Sequence, residues 1–200
     1  VYDSLQKQFQ DVSTMMRKKW PDCKFIAYFQ ANTNTYGTLD RLKATFEPFL
    51  DYPDVVGIAI ATRPDCLSEE ICDYLYKLSQ KCDLYIELGL QTIHDSTAQL
   101  INRGHDYQTF LKGLERLRKR HLDVCVHIIN GLPYETYDMM IETAKVVGKL
   151  DIQGLKIHNL FMLKDTALHK MYLQKPFPLL SREDYIKLVV EQLTYIPDSV

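Results

Sequence analysis

The sequence predicts an α/β fold built on a parallel sheet, and three observations predict it. Five short β-like runs recur along the chain, segments with helical periodicity separate them, and each run turns polar towards its C-terminal end. The runs start about 30 to 40 residues apart, the size of a βα unit. Alternating βα units give parallel strands with right-handed crossovers, either as a doubly wound sheet or as a barrel.

The elements follow in order. Residues 3–19 read as a helix with Leu5, Phe9, Val12 and Met16 on one side, leading into a strand at 24–30. Leu39, Leu42, Phe46 and Phe49 form the next helical stripe, before a strand at 55–62. Ser68 is an N-cap for a helix whose stripe is Ile71, Leu75 and Leu78. A strand at 83–91 follows, then a stripe of Phe110, Leu111, Leu114 and Leu117, and a strand at 122–130. Met139, Thr143, Val146 and Val147 make the fourth stripe, before a last strand at 154–162. A final helix starts at Ser181 and runs to about Tyr195. A βα domain that opens on a helix is expected to lack a strand before it, so the chain reads as a fragment. A compact domain with a leading helix is the plainer alternative.

Composition bounds the function. With 46% hydrophobic and 25% charged residues the chain is globular, and 200 residues suffice for one ordinary core. A net charge of −2 gives no bulk attraction to nucleic acid. The longest apolar runs are about eight residues, too short to cross a bilayer, and residues 1–20 do not read as a signal peptide. Cys23, Cys66, Cys72, Cys82 and Cys125 are odd in number and form no CxxC or CxxxCxxC. They read as small packed hydrophobes in a reducing cytoplasm.

The segment Tyr85-Ile86-Glu87-Leu88-Gly89-Leu90-Gln91 is the most informative. Buried parallel strands are nearly continuous in Val, Ile and Leu. Here one face carries Ile86, Leu88 and Leu90, while the other carries Tyr85, Glu87, Gly89 and Gln91. A carboxylate and an amide facing inward cost free energy unless partnered, which points to a polar cavity. The other strands agree at their C-terminal ends: the first gives Tyr28 and Gln30, then Asn32, Thr33 and Asn34 in the loop, the second gives Thr62-Arg63-Pro64-Asp65, the fourth His127 and then Asn130-Gly131-Leu132-Pro133, and the fifth Lys156, His158 and Asn159. Ligands of parallel α/β folds sit at those strand ends.

Other features have plain readings. Arg116, Arg118, Lys119 and Arg120 read as a solvated helix C-terminus, where the dipole favours cations. Gly104 reads as the C-cap of the short helix after Gln91. His169 and Lys175-Pro176-Phe177-Pro178 read as loop, and the six methionines as packing.

Taken together, the segments Tyr28-Phe29-Gln30, Asn32-Thr33-Asn34-Thr35-Tyr36, Thr62-Arg63-Pro64-Asp65, Glu87-Leu88-Gly89-Leu90-Gln91-Thr92, Asn102-Arg103-Gly104-His105, His127-Ile128-Ile129-Asn130-Gly131-Leu132-Pro133 and Lys156-Ile157-His158-Asn159-Leu160 resemble the radical S-adenosylmethionine (SAM) proteins. The branch resembled holds oxygen-independent coproporphyrinogen oxidase, the tRNA methylthiotransferases and the elongator catalytic subunit, with the YhcC/YtqA-type members nearest. The resemblance implies a partial (β/α)6 TIM-like barrel truncated at its first strand. Residues 1–200 would be an incomplete core domain of five βα units with leading and trailing helices. It implies a [4Fe–4S] cluster held by CxxxCxxC and SAM as cofactors of the parent protein, cleaving SAM reductively to a 5′-deoxyadenosyl radical. That cysteine segment is expected before Val1, so this chain alone is expected to hold no cluster and to be inactive.

Carried over by position, Gln91 and Arg103, twelve residues apart, resemble SAM contacts, with Arg103 on the methionine carboxylate. Glu87 belongs to the same implied cofactor set. His127 stands where coproporphyrinogen oxidase has an aspartate reaching the ribose. Gln30 and Asn32 lie where relatives hold the SAM amino group with a Gly-rich segment. Gly131 would admit the adenine. The resemblance implies an RNA, protein or small-molecule substrate. The short apolar runs imply no membrane, and the missing leading strand is expected to leave an exposed edge at 24–30 suited to dimerisation. Two rivals stand beside the resemblance. A cofactor-free barrel enzyme would use Glu87, Lys156 and His158 for acid–base chemistry. A non-catalytic domain that only binds a partner would show an apolar patch and no convergent polar cavity.

Overall fold

The computed structural model of the protein describes residues 4–200. Its order is α1 (Leu5–Lys19), β1 (Phe25–Phe29), α2 (Leu39–Phe46), β2 (Val55–Thr62), α3 (Glu69–Ser79), β3 (Asp83–Gln91), α4 (Asp95–Leu100), α5 (Tyr107–Arg118), β4 (Asp123–Asn130), α6 (Tyr137–Val147), β5 (Gly154–Asn159), α7 (Ala167–Gln174) and α8 (Arg182–Leu193). The helix starts are written locally. Ser4, Thr38, Ser68, Asp106, Thr136, Thr166 and Ser181 each accept a hydrogen bond from the backbone N–H three residues on, leaving only α4 without a side-chain cap among the described helices. Each such cap contributes about 1 kcal/mol.

The five strands are parallel and pair in sequential order, β1-β2-β3-β4-β5. A doubly wound sheet would reverse its order part-way, so the barrel alternative holds, as a curled half-barrel. Ile58, Ile60, Ile86, Leu88, Leu90, Val124, Val126 and Ile128 line the face towards the helices and pack with Leu75, Leu78, Phe110, Leu114, Leu117 and Val147. Each such side chain contributes about 1.5–3 kcal/mol by leaving water. The concave face is open: Ile26, Tyr28 and Tyr85 remain 48%, 42% and 41% exposed. Paired positions across this face put Tyr28, Ala59 and Tyr85 in one row, and Ala61, Glu87, Cys125 and Gly154 in the next. Small residues on β2 leave space for longer side chains to meet above it.

Several local expectations need correction. The expected start of the first helix at residue 3 lies outside the described residues. The last strand ends at Asn159 rather than 162, after which the Leu160 N–H donates to the Asn130 carbonyl. The buried stripe of α6 is Met140, Ile141, Thr143, Ala144 and Val147, so Met139 and Val146 are only half-buried. His169 lies in a helix, α7, whose Thr166 cap accepts from the His169 N–H. Gly104 does not end α4. Asn102 does, at φ 58°, with its N–H on the Gln99 carbonyl and the Arg103 N–H on that of Ala98. This is a Schellman motif with asparagine in the left-handed position. The basic run after α5 is not simply solvated, since Arg120 pairs with Glu69 and Asp73 and Arg118 with Asp151. Of the cysteines only Cys72 is fully buried, the other four being half-buried.

Candidate cofactor site

Arg103 organises the mouth of the half-barrel. The Schellman turn after α4 aims its side chain back over β3, where Nη2 donates to the Gly89 carbonyl at 2.7 Å. Gly89 leaves room for it, because a Cβ at that position would press on Nη2 and the guanidinium would have to shift. Arg103 is half-buried, it enters no ion pair among the described residues, and its Nε is shut off from solvent with no hydrogen-bond partner. Burial lowers its pKa, and the neighbouring Arg63 cation adds to this.

Arg63 is treated differently. It donates to both oxygens of Asp65, at 2.9 and 2.6 Å. Those bonds raise the Arg63 pKa against the cost of burial. Burial raises the Asp65 carboxyl, but the guanidinium outweighs it and holds the acid below its usual value. Gly104, at φ +83°, makes room for this pair, since a Cβ would lie 2.7 Å from Arg63 Nη2. The loop after β1 is tied in beside it. Asn34 donates to the Phe29 and Ala61 carbonyls, and the Arg63 N–H donates to Thr33 Oγ1.

These groups border a cavity of about 410 Å³ that brings together Gln30, Asn32, Glu87, Gln91, Arg103 and His127. Six of the seven site residues expected from the sequence therefore share one wall. Gln91 reaches it from a left-handed conformation, φ 77°, at a bulge after Gly89, not from a regular strand pair as the period-two count assumed. Asn32 is also left-handed, at φ 63°. Gly131 is not part of this wall. It takes φ +82° in the turn after β4, with its N–H 3.1 Å from Met140 Sδ and Leu180 alongside. Thr33, Thr62, Arg63 and Gly89 line the cavity but were not among the expected site residues. The signal available was the polar tetrapeptide 62–65 at the end of β2 and the lone glycine between Glu87 and Gln91.

Below the cavity, side chains from four strands meet on the concave face. Tyr28 donates to Glu87 Oε2 across the small residues of β2. Lys156 Nζ lies 2.5 Å from Glu87 Oε1 and 3.2 Å from Tyr28 Oη. His127 Nε2 is 3.0 Å from Glu87 Oε2, and the His158 ring centre is 5.1 Å from that of His127. Burial pushes the Glu87 carboxyl up, but Lys156 and Tyr28 outweigh it and hold it ionised. Burial likewise pushes Lys156 down, and its bonds to Glu87 and Tyr28 raise it above its usual value. Burial pushes His127 down to about 4, so its ring is neutral at pH 7.

As a cofactor test, the unpaired Arg103 beside amide and imidazole groups fits the carboxylate and polar edges of SAM. No group of three or more His, Cys, Asp or Glu among the described residues is placed to hold a metal, so the residues present do not fit an iron–sulfur cluster. The sequence model of the Radical SAM superfamily matches residues 8–147, and that of the Radical_SAM C-terminal domain matches residues 152–200. The chain belongs to the radical SAM superfamily. This radical SAM domain is 52% identical to YtqA of Bacillus subtilis over 195 residues, 98% of this chain and 61% of that protein. It spans about three-fifths of the length of YtqA and of relatives like it, and about a quarter of the length of the elongator-type relatives it also matches. Its fold is shared with Methanocaldococcus infernus Elp3, at TM-score 0.79 and 20% identity over 94% of this chain and 49% of that one. It is shared also with the coproporphyrinogen III oxidase HemN of Escherichia coli, at TM-score 0.59 and 19% identity over 82% and 38%. No helix among the described residues is long and apolar enough to cross a membrane.

Proposed function

We propose that the cavity at the C-terminal strand ends binds SAM, and that in its whole protein the chain is the core of a radical SAM enzyme of oxidoreductase type. The observation that carries this is the half-buried Arg103 guanidinium, whose Nε is unpaired and which enters no ion pair among the described residues. A partly buried cation in that state costs free energy that an anionic ligand recovers. An amino-acid carboxylate matches its fork of donors. Gln30, Asn32 and Gln91 offer amide donors and acceptors around it, and the neutral His127 ring can pair with a hydroxyl. SAM and a [4Fe–4S] cluster, when bound, supply reductive cleavage of SAM to a 5′-deoxyadenosyl radical. The chain's own residues would hold and orient the nucleoside and amino-acid ends. The substrate, an RNA, a protein or a small molecule, is left open.

The acid–base reading fits less well. A general acid or base works best with a pKa near the operating pH. Glu87 and Lys156 shift in opposite directions, each holding the other in its charged form. A purely partner-binding domain would not need the convergent polar wall around Arg103.

The test is SAM binding by calorimetry to the full-length parent reconstituted with iron and sulfide. Arg103→Ala is expected to weaken binding by about 1.5–3 kcal/mol, and unchanged binding overturns the assignment. We also propose that the free edge of β1 pairs with a second copy of the chain. Light scattering that finds only monomer at high concentration would remove that part.

A further inference from the structure

The cavity is bordered by two guanidiniums in unlike states. Arg63 is bound at two points by Asp65, with 2.9 and 2.6 Å contacts, and is seated over Gly104, where any Cβ would intrude to 2.7 Å. Arg103 has no acid in direct contact, feeling Asp65 only through space, and its Nε is unsatisfied. Two bare guanidiniums on one wall would attract a doubly charged anion such as a phosphate group, which is recognised well by paired forks of N–H donors. One bare guanidinium suits a single carboxylate. Charge at the wall is therefore tuned by an acid that does not line the cavity: Asp65 contacts Arg63 directly and acts on Arg103 only at a distance.

We propose that Asp65 is a specificity-determining residue: by holding Arg63 in a two-point ion pair it leaves the cavity one unpaired guanidinium, so the site takes a ligand with one carboxylate and rejects doubly charged phosphate groups. This rests on the SAM reading of the same cavity, and it adds that the selection is made by a residue that need not touch the ligand. The loop geometry supports it. Pro64 lies between the pair, and the Arg63 backbone is anchored by its N–H on Thr33 Oγ1. With the backbone fixed, removal of the carboxylate frees the side chain without moving the wall.

The test uses the 200-residue chain and two probes, inorganic phosphate and S-adenosylhomocysteine, titrated by calorimetry, with folding checked by circular dichroism. Asp65→Asn is expected to bind phosphate about tenfold more tightly than the unmodified chain or more, the worth of one charge-assisted contact. Asp65→Ser, which also removes the charge, is the second variant if the amide disturbs the turn. Asp65→Glu keeps the charge and is expected to show no gain. Adding Arg63→Met to Asp65→Asn is expected to abolish the gain. Absence of any phosphate gain in both uncharged variants overturns the proposal, as does a gain that survives Arg63→Met. The SAM reading fails separately: its mark is S-adenosylhomocysteine binding that is absent from the unmodified chain or unaffected by Arg103→Met.

Discussion

The mouth of the half-barrel and the floor beneath it are both polar, and they differ in how their charges are balanced. On the floor, Glu87 has both oxygens engaged by Lys156 and Tyr28, and the ammonium returns to the phenol. At the mouth, Arg63 is matched by Asp65 while Arg103 is left with an unsatisfied Nε. The cluster around Glu87 ties the fold together, although the neutral His127 beside it keeps an Nε2 with no hydrogen-bond partner. The cluster joins β1, β3 and β5, with the Tyr28 and Lys156 side chains meeting across 128 residues of sequence. An unsaturated, partly buried charge has no structural return and points to a ligand. Polarity alone does not separate the two.

The largest effect should come from breaking the floor. Lys156→Met leaves the nearly buried Glu87 carboxylate without its cation. It should lower stability in urea by about 2–3 kcal/mol, less than for a fully buried pair because Lys156 is itself 41% exposed. Glu87→Gln should cost less, since Lys156 can turn to water, and the double variant should cost less than the sum. Arg103→Met is the contrast: stability should stay within about 1 kcal/mol, the worth of its bond to Gly89. A loss from Arg103→Met as large as that from Lys156→Met would erase the distinction between the regions.

The next effect is on pH dependence. His127 titrates near 6.5 when unfolded but near 4 in place. Between those values the unfolded chain binds the extra proton, so stability falls as the pH drops from about 6.5 towards 4. Glu87, held below its usual value, adds a further loss below about 4.5. In His127→Asn the loss between pH 6.5 and 4.5 should shrink while the part below 4.5 remains. Urea midpoints at pH 7, 5.5 and 4.5 measure this, and identical slopes for both proteins would show that His127 is not held neutral.

The difference between the regions was only half visible in the sequence. Strand positions were legible because Ile86, Leu88 and Leu90 alternate with Tyr85, Glu87 and Gly89, and because Ser and Thr caps punctuate the helices. That Arg103 and Gln91 would share a cavity was legible only through the resemblance to radical SAM proteins. The bulge that turns Gln91 was not, since a register shift shows only against the neighbouring strand. Nor could the sequence show that Lys156 saturates Glu87, or that Gly89 and Gly104 are slots for guanidiniums, because each needs a distance between segments far apart or turned back on themselves. In α6 Thr143 and Val147 were placed on the buried stripe, but Met139 was taken in place of Met140 and Ile141 because the three are adjacent and apolar, and period alone does not choose among them.

Gly89 offers a sharper test at the mouth. A methyl group there would press on the Arg103 guanidinium. Gly89→Ala should cost about 1–2 kcal/mol of stability through overpacking and lower S-adenosylhomocysteine affinity by about tenfold. Unchanged affinity would mean that the ligand does not use Arg103 in the position seen.

The smallest expected effect concerns the turn that aims Arg103. Asn102 is left-handed at φ 58°, a conformation that costs an ordinary L-residue about 1–2 kcal/mol and glycine almost nothing. Asn102→Ala should therefore destabilise by about 1 kcal/mol, and Asn102→Gly should be close to neutral. The Arg103 N–H donates to the Ala98 carbonyl within this turn, so its hydrogen exchange should quicken in the alanine variant and not in the glycine one. If the turn serves only to end α4, ligand affinity should be indifferent to both changes. If it serves to aim an unpaired cation, the alanine variant should lose affinity for S-adenosylhomocysteine and the glycine variant should keep it. A position eleven residues beyond β3, at the surface end of a short helix, would then report on the charge at the mouth while leaving the floor untouched.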